Sequence, residues 1–226
     1  MLAFKDICGH DKETGRLKAA ILAKRVAHSY LFTGQDGIGK RLIALAFAKA
    51  LNCVDIDASG DSCGACPDCL MAEAGTHPNI IQIQPVDKDE EPAADGTIKI
   101  AQVRELQEAL RYKADGGKKA AIVEGADRMA LPAANAFLKT LEEPPASSVI
   151  ILIASRAAEL PATVISRCQR INFRPLPAAV IKDYLVKVNG AAPEEADAAA
   201  RLSGGSIPAA ARCLIFPPAE RSAAGC

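Results

Sequence analysis

The sequence predicts an α/β fold: a parallel sheet flanked by helices, carrying a cysteine-bearing insertion and followed by a small helical domain. Three observations point there. Short runs that are apolar at nearly every position alternate with helical patterns, as expected of a parallel sheet covered on both faces. One of these runs, His28 to Thr33, leads straight into a glycine-rich loop and then a helix. After Pro175 and Pro177 the character changes to alanine-rich helical segments broken by Gly204 and Gly205, which puts a domain boundary near Pro175.

In chain order, Thr14 as a cap with Leu17, Ile21, Leu22 and Val26 at helical spacing predicts an amphipathic helix over 15–27. The strand at 28–33 and a helix from Lys40 to about Asn52 flank the glycine loop. Residues 53–70 form the cysteine-rich insertion, and Asn79 to Gln84 reads as a buried strand. Asp87 to Gly96 is acidic, with Pro and Gly, and reads as a solvated loop. Ile100, Val103, Leu106 and Leu110 mark one face of a helix. Lys119 to Glu124 and Ser148 to Ala154 are two further strands. Between them a helix runs from Pro132, suited to a first turn, to about Leu141, where Pro144 and Pro145 end it. Arg170 to Phe173 adds a last strand, and 178–188, 194–203 and 208–215 are helical. No internal repeat is present.

Gly34-Gln35-Asp36-Gly37-Ile38-Gly39-Lys40-Arg41 follows the phosphate-loop pattern G-x-x-x-x-G-K-[ST] up to its last letter. The glycines allow successive backbone N–H groups to face an anion, Lys40 supplies charge for outer phosphates, and the helix start beyond adds its dipole. The last position should carry a hydroxyl that ligates Mg²⁺. Arg41 is a permanent cation without a metal-binding lone pair, so Mg²⁺ is not expected there. Hydrolysis also needs an acidic pair at the end of the 119–124 strand, one carboxylate for the metal and one to position water. Glu124 could serve the first role, but Gly125 has no side chain for the second, and Asp127 reads as a turn or cap residue. The pattern keeps a phosphate cradle and loses two separate parts of a hydrolytic site.

The cysteine pattern is Cys53-x9-Cys63-x2-Cys66-x2-Cys69. Two C-x-x-C steps sharing Cys66 place three thiolates around one tight turn, and Cys53 approaches from the preceding helix end. Four thiolates fill a tetrahedral structural Zn²⁺ site with no open position. An iron–sulfur cluster uses the same ligand number, and unligated thiols are the plain alternative. Cys8, Cys168, Cys213 and Cys226 lack ligand spacing and read as packing or surface thiols. His10, His28 and His77 are isolated and read as packing or turn residues.

Composition narrows the function classes. Twenty-seven Lys and Arg balance 27 Asp and Glu, so the formal net charge is zero. With 6 Phe, 3 Tyr and no Trp, the chain lacks both the basic surface and the stacking platforms of a stand-alone nucleic-acid-binding module. No apolar run reaches the roughly 18 residues of a membrane span, and no N-terminal signal pattern is visible, so a soluble, cytoplasmic chain is expected. In a reducing cytoplasm the 8 cysteines are not a disulfide framework.

The run His28 to Lys40, the four-cysteine insertion after the loop helix, Ala134-Asn-Ala-Phe-Leu-Lys-Thr-Leu-Glu-Glu-Pro-Pro145 and Leu160 to Cys168 with its Ser166-Arg167-Cys168 step resemble the clamp-loader branch of the AAA+ ATPases. The likeness spans residue 4 to about 175. It implies a P-loop AAA+ domain over 1–175 with a four-cysteine zinc insertion at 53–69, and a small helical lid domain over 176–226, with the third, collar domain absent. It further implies a ring of delta- and gamma/tau-type subunits that opens a sliding clamp and closes it on primer–template DNA. In that family the zinc knuckle is structural, and the Arg of Ser-Arg-Cys acts in trans on ATP held by a neighbour; here that is Arg167. Arg41, Gly125 and Pro208, which replaces a nucleotide-sensing Arg after Gly205-Ser206-Ile207, match the non-hydrolysing subunit type. A hydrolysing motor subunit is the alternative, and whether ATP or ADP stays in the degenerate loop is open.

Overall fold

The structure, a computed structural model, describes residues 2–215 apart from Ala94 and Asp115. Cys226 and the end of the 176–226 segment lie outside the described residues.

Five parallel strands form one sheet: β1 (Ser29–Thr33), β2 (Ile80–Ile83), β3 (Lys119–Val123), β4 (Ser148–Ala154) and β5 (Gln169–Asn172), in the order β2-β3-β4-β1-β5. The helices are α1 (Asp11–Leu22), α2 (Lys40–Asn52), α3 (Pro67–Ala74), α4 (Ile100–Arg111), α5 (Leu131–Glu142), the single turn α6 (Ala162–Ile165), and then α7 (Ala178–Asn189), α8 (Pro193–Leu202) and α9 (Ile207–Ile215). The strands at β1, β3 and β4 are buried at every position because each face is covered. Along β1, Tyr30 and Phe32 join Ile43, Phe47 and Ile151 on the face covered by α1 and α2. Leu31 points the other way and joins Leu106, Phe137, Ile150 and Leu152 beneath α4 and α5. Phe137→Ala is expected to lose about 3–5 kcal/mol of stability, because a fully buried ring leaves a cavity. Denaturant unfolding with an unchanged slope would register it.

Three expectations need correction. Asn79 to Gln84 reads as a buried strand, but β2 is a sheet edge with Gln82 exposed. β5 is the other edge, where Ile171 alone turns fully inward. The first helix occupies 11–22, not 15–27. Lys24 adopts φ 54°, and the Arg25 N–H reaches back to the Ala20 carbonyl, a left-handed C-terminal closure that ends the helix before Val26. Thr14 lies inside the helix, its hydroxyl donating to the His10 carbonyl at 3.1 Å, so it caps nothing. The helix α3 was not foreseen.

The last three helices pack through Leu176, Ile181, Leu185, Ala196, Ala199, Ala200 and Ala210. Small alanine side chains let these backbones approach closely, which explains the composition after Pro175.

Candidate functional site

Because all strands are parallel and β1 lies between β4 and β5, the segments after β1, β3 and β4 emerge side by side at one sheet edge. The β1 connection leads toward β2, whereas the β4 connection crosses to β5, so a crevice opens beside β1 at the strands' carboxyl ends. The glycine loop fills it. Gly34, Gly37 and Gly39 all have positive φ, and Gly39 at φ 102° turns the chain into α2. Gly37 is required by a neighbour: any β-carbon there would collide with the Ser206 side chain. Ser206 heads α9, its hydroxyl accepting the Ala209 N–H at 3.4 Å, so the last helices are seated directly on the loop. Ile38 is buried, and its carbonyl is held at 2.7 Å by His10 Nε2. A carbonyl can only accept, so that ring nitrogen carries the proton.

Lys40 is 4% exposed, and its ammonium donates to the Gly34 and Gln35 carbonyls of its own loop, the latter at 2.7 Å. Burial pushes its pKa below the ordinary lysine value, against the opposite pull of Asp36, Asp127 and Glu124. Asp36, inside the loop, receives the Ser155 hydroxyl and stands 3.9 Å from the Lys40 ammonium. Arg41 Nε lies 3.2 Å from Glu124 Oε2. The guanidinium thus takes the carboxylate that the sequence left available for a metal. Gly125 beside it offers no side chain. Asp127 belongs to the turn 126–128 as expected, and its Oδ2 accepts the Arg156 N–H at 3.0 Å. A cavity of about 560 Å³ runs from Gly37–Arg41 and Glu124 to Ile7, Cys8, Leu176, Tyr184 and Ile207.

Arg167 lies at the other end of the sheet. Its carbonyl accepts from Ser29, the first residue of β1, at 2.6 Å, while the glycine loop follows the last. Five residues of strand, about 16 Å, separate the two. The side chain is 34% exposed, donating to the Thr163 carbonyl at 2.8 Å and pairing with Glu142 at 2.6 Å. Arg167 cannot serve the pocket of its own chain.

The four sulfurs of Cys53, Cys63, Cys66 and Cys69 lie within 4.8 Å of one another. Cys53 and Cys63 are 3.5 Å apart, and Cys63 and Cys69 3.9 Å. Zn–S bonds of about 2.3 Å in a tetrahedron put sulfurs about 3.8 Å apart, so the set fits one such ion. A [4Fe–4S] cluster binds each thiolate to its own iron and a [2Fe–2S] cluster binds two at each of two irons, so either spreads the four sulfurs further than one ion does. Local structure builds the site: Cys53 ends α2, and Cys66 heads α3, its sulfur accepting the Cys69 N–H at 3.4 Å with Pro67 in the first turn. Burial raises the Cys53 and Cys69 thiols, whereas N–H groups of Ala65 and Cys66 lower Cys63 to about 6. A central cation would resolve that conflict by holding all four as thiolates.

Proteins named DNA polymerase III subunit delta' from Bacillus subtilis and Pseudomonas aeruginosa are 38% and 39% identical to this chain, over 72% and 80% of it. The sequence model of the family described as DNA polymerase III, delta subunit, matches residues 9–177. The chain belongs to the DNA polymerase III delta-prime family. It spans about half the length of these curated delta-prime relatives, 47% and 53%. A tau subunit from Bacillus subtilis is 30% identical over 82% of the chain and 31% of its own length. A solved gamma subunit-related protein from Thermotoga maritima shares 25% identity, with TM-score 0.61, over 90% of this delta-prime-family chain and 58% of its own. Thermotoga maritima RuvB, at 13% identity and TM-score 0.62 over 94% of this chain and 62% of its own, has a similar fold. Of the expected site residues, the structure brings Gly34 to Arg41 together with Glu124, gathers the four cysteines, and sets Arg167 apart. His10 is the packing and turn residue the sequence suggested, at the left-handed entry to α1 and edge-on to Phe173, but its hold on the glycine loop through the Ile38 carbonyl was not legible.

Proposed function

We propose that this chain is the stator-type delta-prime subunit of a DNA polymerase III clamp loader, working in the cytoplasm with delta- and gamma/tau-type subunits to place a sliding clamp on primer–template DNA. It does not hydrolyse ATP; it supplies Arg167 to ATP held by its neighbour. The observation that carries this reading is the Arg41–Glu124 ion pair. A motor subunit needs a hydroxyl and a carboxylate free to hold Mg²⁺ at that place, and here a guanidinium and its counter-charge fill it. The partly exposed Arg167 supports the second half: Glu142 and the Thr163 carbonyl hold it at the end of the sheet away from its own loop, and a guanidinium fork suits the phosphate oxygens of an adjoining subunit. At 53–69 a structural Zn²⁺ would join α2 to α3. The loop retains Gly34, Gly37, Ile38, Gly39, Lys40 and Arg41 as a phosphate cradle for ATP or ADP without Mg²⁺.

The competing motor reading, favoured by the tau likeness, is separated by one assay. Purified chain is expected to show no Lys40-dependent ATP turnover; steady release of ADP that Lys40→Ala abolishes would overturn the stator reading. Arg41→Thr restores a hydroxyl and frees Glu124. Nucleotide binding by that variant is expected to strengthen severalfold on adding Mg²⁺, while turnover stays at background because Gly125 positions no water. Titration calorimetry with and without the metal reads both.

A further inference from the structure

Two carboxylates, Asp61 of the cysteine insertion and Glu73 of the helix α3 that follows from it, grasp the backbone of the N-terminal segment. Asp61, 1% exposed, accepts the N–H of Phe4 at 3.1 Å and of Lys5 at 2.9 Å, besides that of Ser62 at 2.8 Å. Glu73 accepts the Leu2 N–H at 3.2 Å and the Lys49 ammonium at 2.5 Å. Lys18 of α1 stands 3.7 Å from Asp61, with its ammonium 5.7 Å from the Phe4 ring centre. Asp61 is itself placed by the hairpin between Cys53 and Cys63. There Asp57 accepts the N–H of Ser59 and Asp61 at 2.8 and 3.0 Å, and Ile56 bridges to Ser62.

The segment so held continues into the cavity: Asp6, Ile7 and Cys8 line it, as do Tyr184 and Ile207. Phosphates would lie at the glycine loop. The opposite end, with Ile7, Cys8, Leu176, Tyr184 and Ile207, is mostly apolar with one aromatic ring, which suits a planar base. We propose that Asp61 is a positioning residue that ties the cysteine insertion to this wall, so that the metal state of Cys53–Cys69 sets the shape of the base end of a nucleoside di- or triphosphate site. The chemistry is direct. N–H groups bonded to a buried carboxylate are among the stronger hydrogen bonds of a fold, and an insertion that loses its shape withdraws the acceptor from Phe4 and Lys5. The base-end claim rests on reading residues 34–41 as a phosphate site; the tether itself does not.

The test compares the full chain with Asp61→Asn and Cys66→Ser. Amide hydrogen exchange at Phe4 and Lys5 is expected to quicken about tenfold or more in both, the factor that corresponds to losing one hydrogen bond to a charged acceptor. Exchange in α7–α9 is expected to stay unchanged. In Asp61→Asn, zinc content should stay near wild type while ADP binds about tenfold more weakly and pyrophosphate binds as before. Unchanged exchange at Phe4 and Lys5 overturns the tether, and equal losses of ADP and pyrophosphate overturn the positioning of the base end. If the wild-type chain binds neither probe, the phosphate reading and the base-end claim fall together, while exchange still decides the tether. Should Asp61→Asn not fold, exchange at Phe4 and Lys5 in the wild-type chain before and after chelation decides the tether: faster exchange after metal loss supports it, and unchanged exchange overturns it.

Discussion

In a reconstituted loader, Arg167→Ala is expected to lower ATP hydrolysis by the adjoining subunit on the order of 10³-fold, the low end of what a trans-acting arginine contributes in phosphoryl transfer. Stability should barely move. Arg167 pairs with a half-exposed Glu142, and such surface pairs are worth about 0–1 kcal/mol. That separation makes the variant informative, because a lost rate with an unchanged melting curve assigns the effect to charge presented across the interface. Arg167→Lys is expected to rescue little, since a point charge does not reproduce the planar fork. An unaltered ATPase rate in the assembled ring would remove Arg167 from the site.

The second large effect concerns the cysteines. Cys66→Ser, or removal of the metal by a chelator, is expected to lower the melting temperature by on the order of 10 °C. The reason is not confined to the ion. Once the insertion loosens, Glu73 leaves Lys49, whose side chain is fully buried, and an uncompensated buried cation costs about 3–5 kcal/mol. For a chain of this size each kcal/mol moves the midpoint by about 2–4 °C. Metal analysis on the intact chain should find close to one zinc; iron would overturn the assignment, and so would an unmoved midpoint after metal loss.

Most of the scaffold was legible from residue pattern. β4 and α2 carry such regular apolar periods that their limits coincide with the reading, Ser148 to Ala154 and Lys40 to Asn52. The glycine loop was legible because its three glycines answer backbone demands, and the cysteines because ligand spacing is a geometric constraint. What stayed hidden depends on distant partners. β2 looks like an interior strand, and only the sheet order exposes it as an edge. The Arg41–Glu124 contact joins the first turn of α2 to the residue that follows β3, so sequence showed the missing metal ligand but not its replacement. Asp61 and Glu73 resemble ordinary solvated acids until the N-terminal backbone is laid across them.

The sheet order also bears on how the chain is made. β1, which launches the glycine loop, pairs Ser29 with Ile150 on one side and Tyr30 with Gln169 on the other, so both neighbours are synthesised long after it. During translation an apolar strand must wait unpaired while more than a hundred residues follow, and long-range parallel pairing of this kind is slow and exposed to aggregation. The nascent polypeptide is therefore most dependent on chaperones in that interval, and a ribosome stalled before β5 emerges would present β1 as an open, sticky edge.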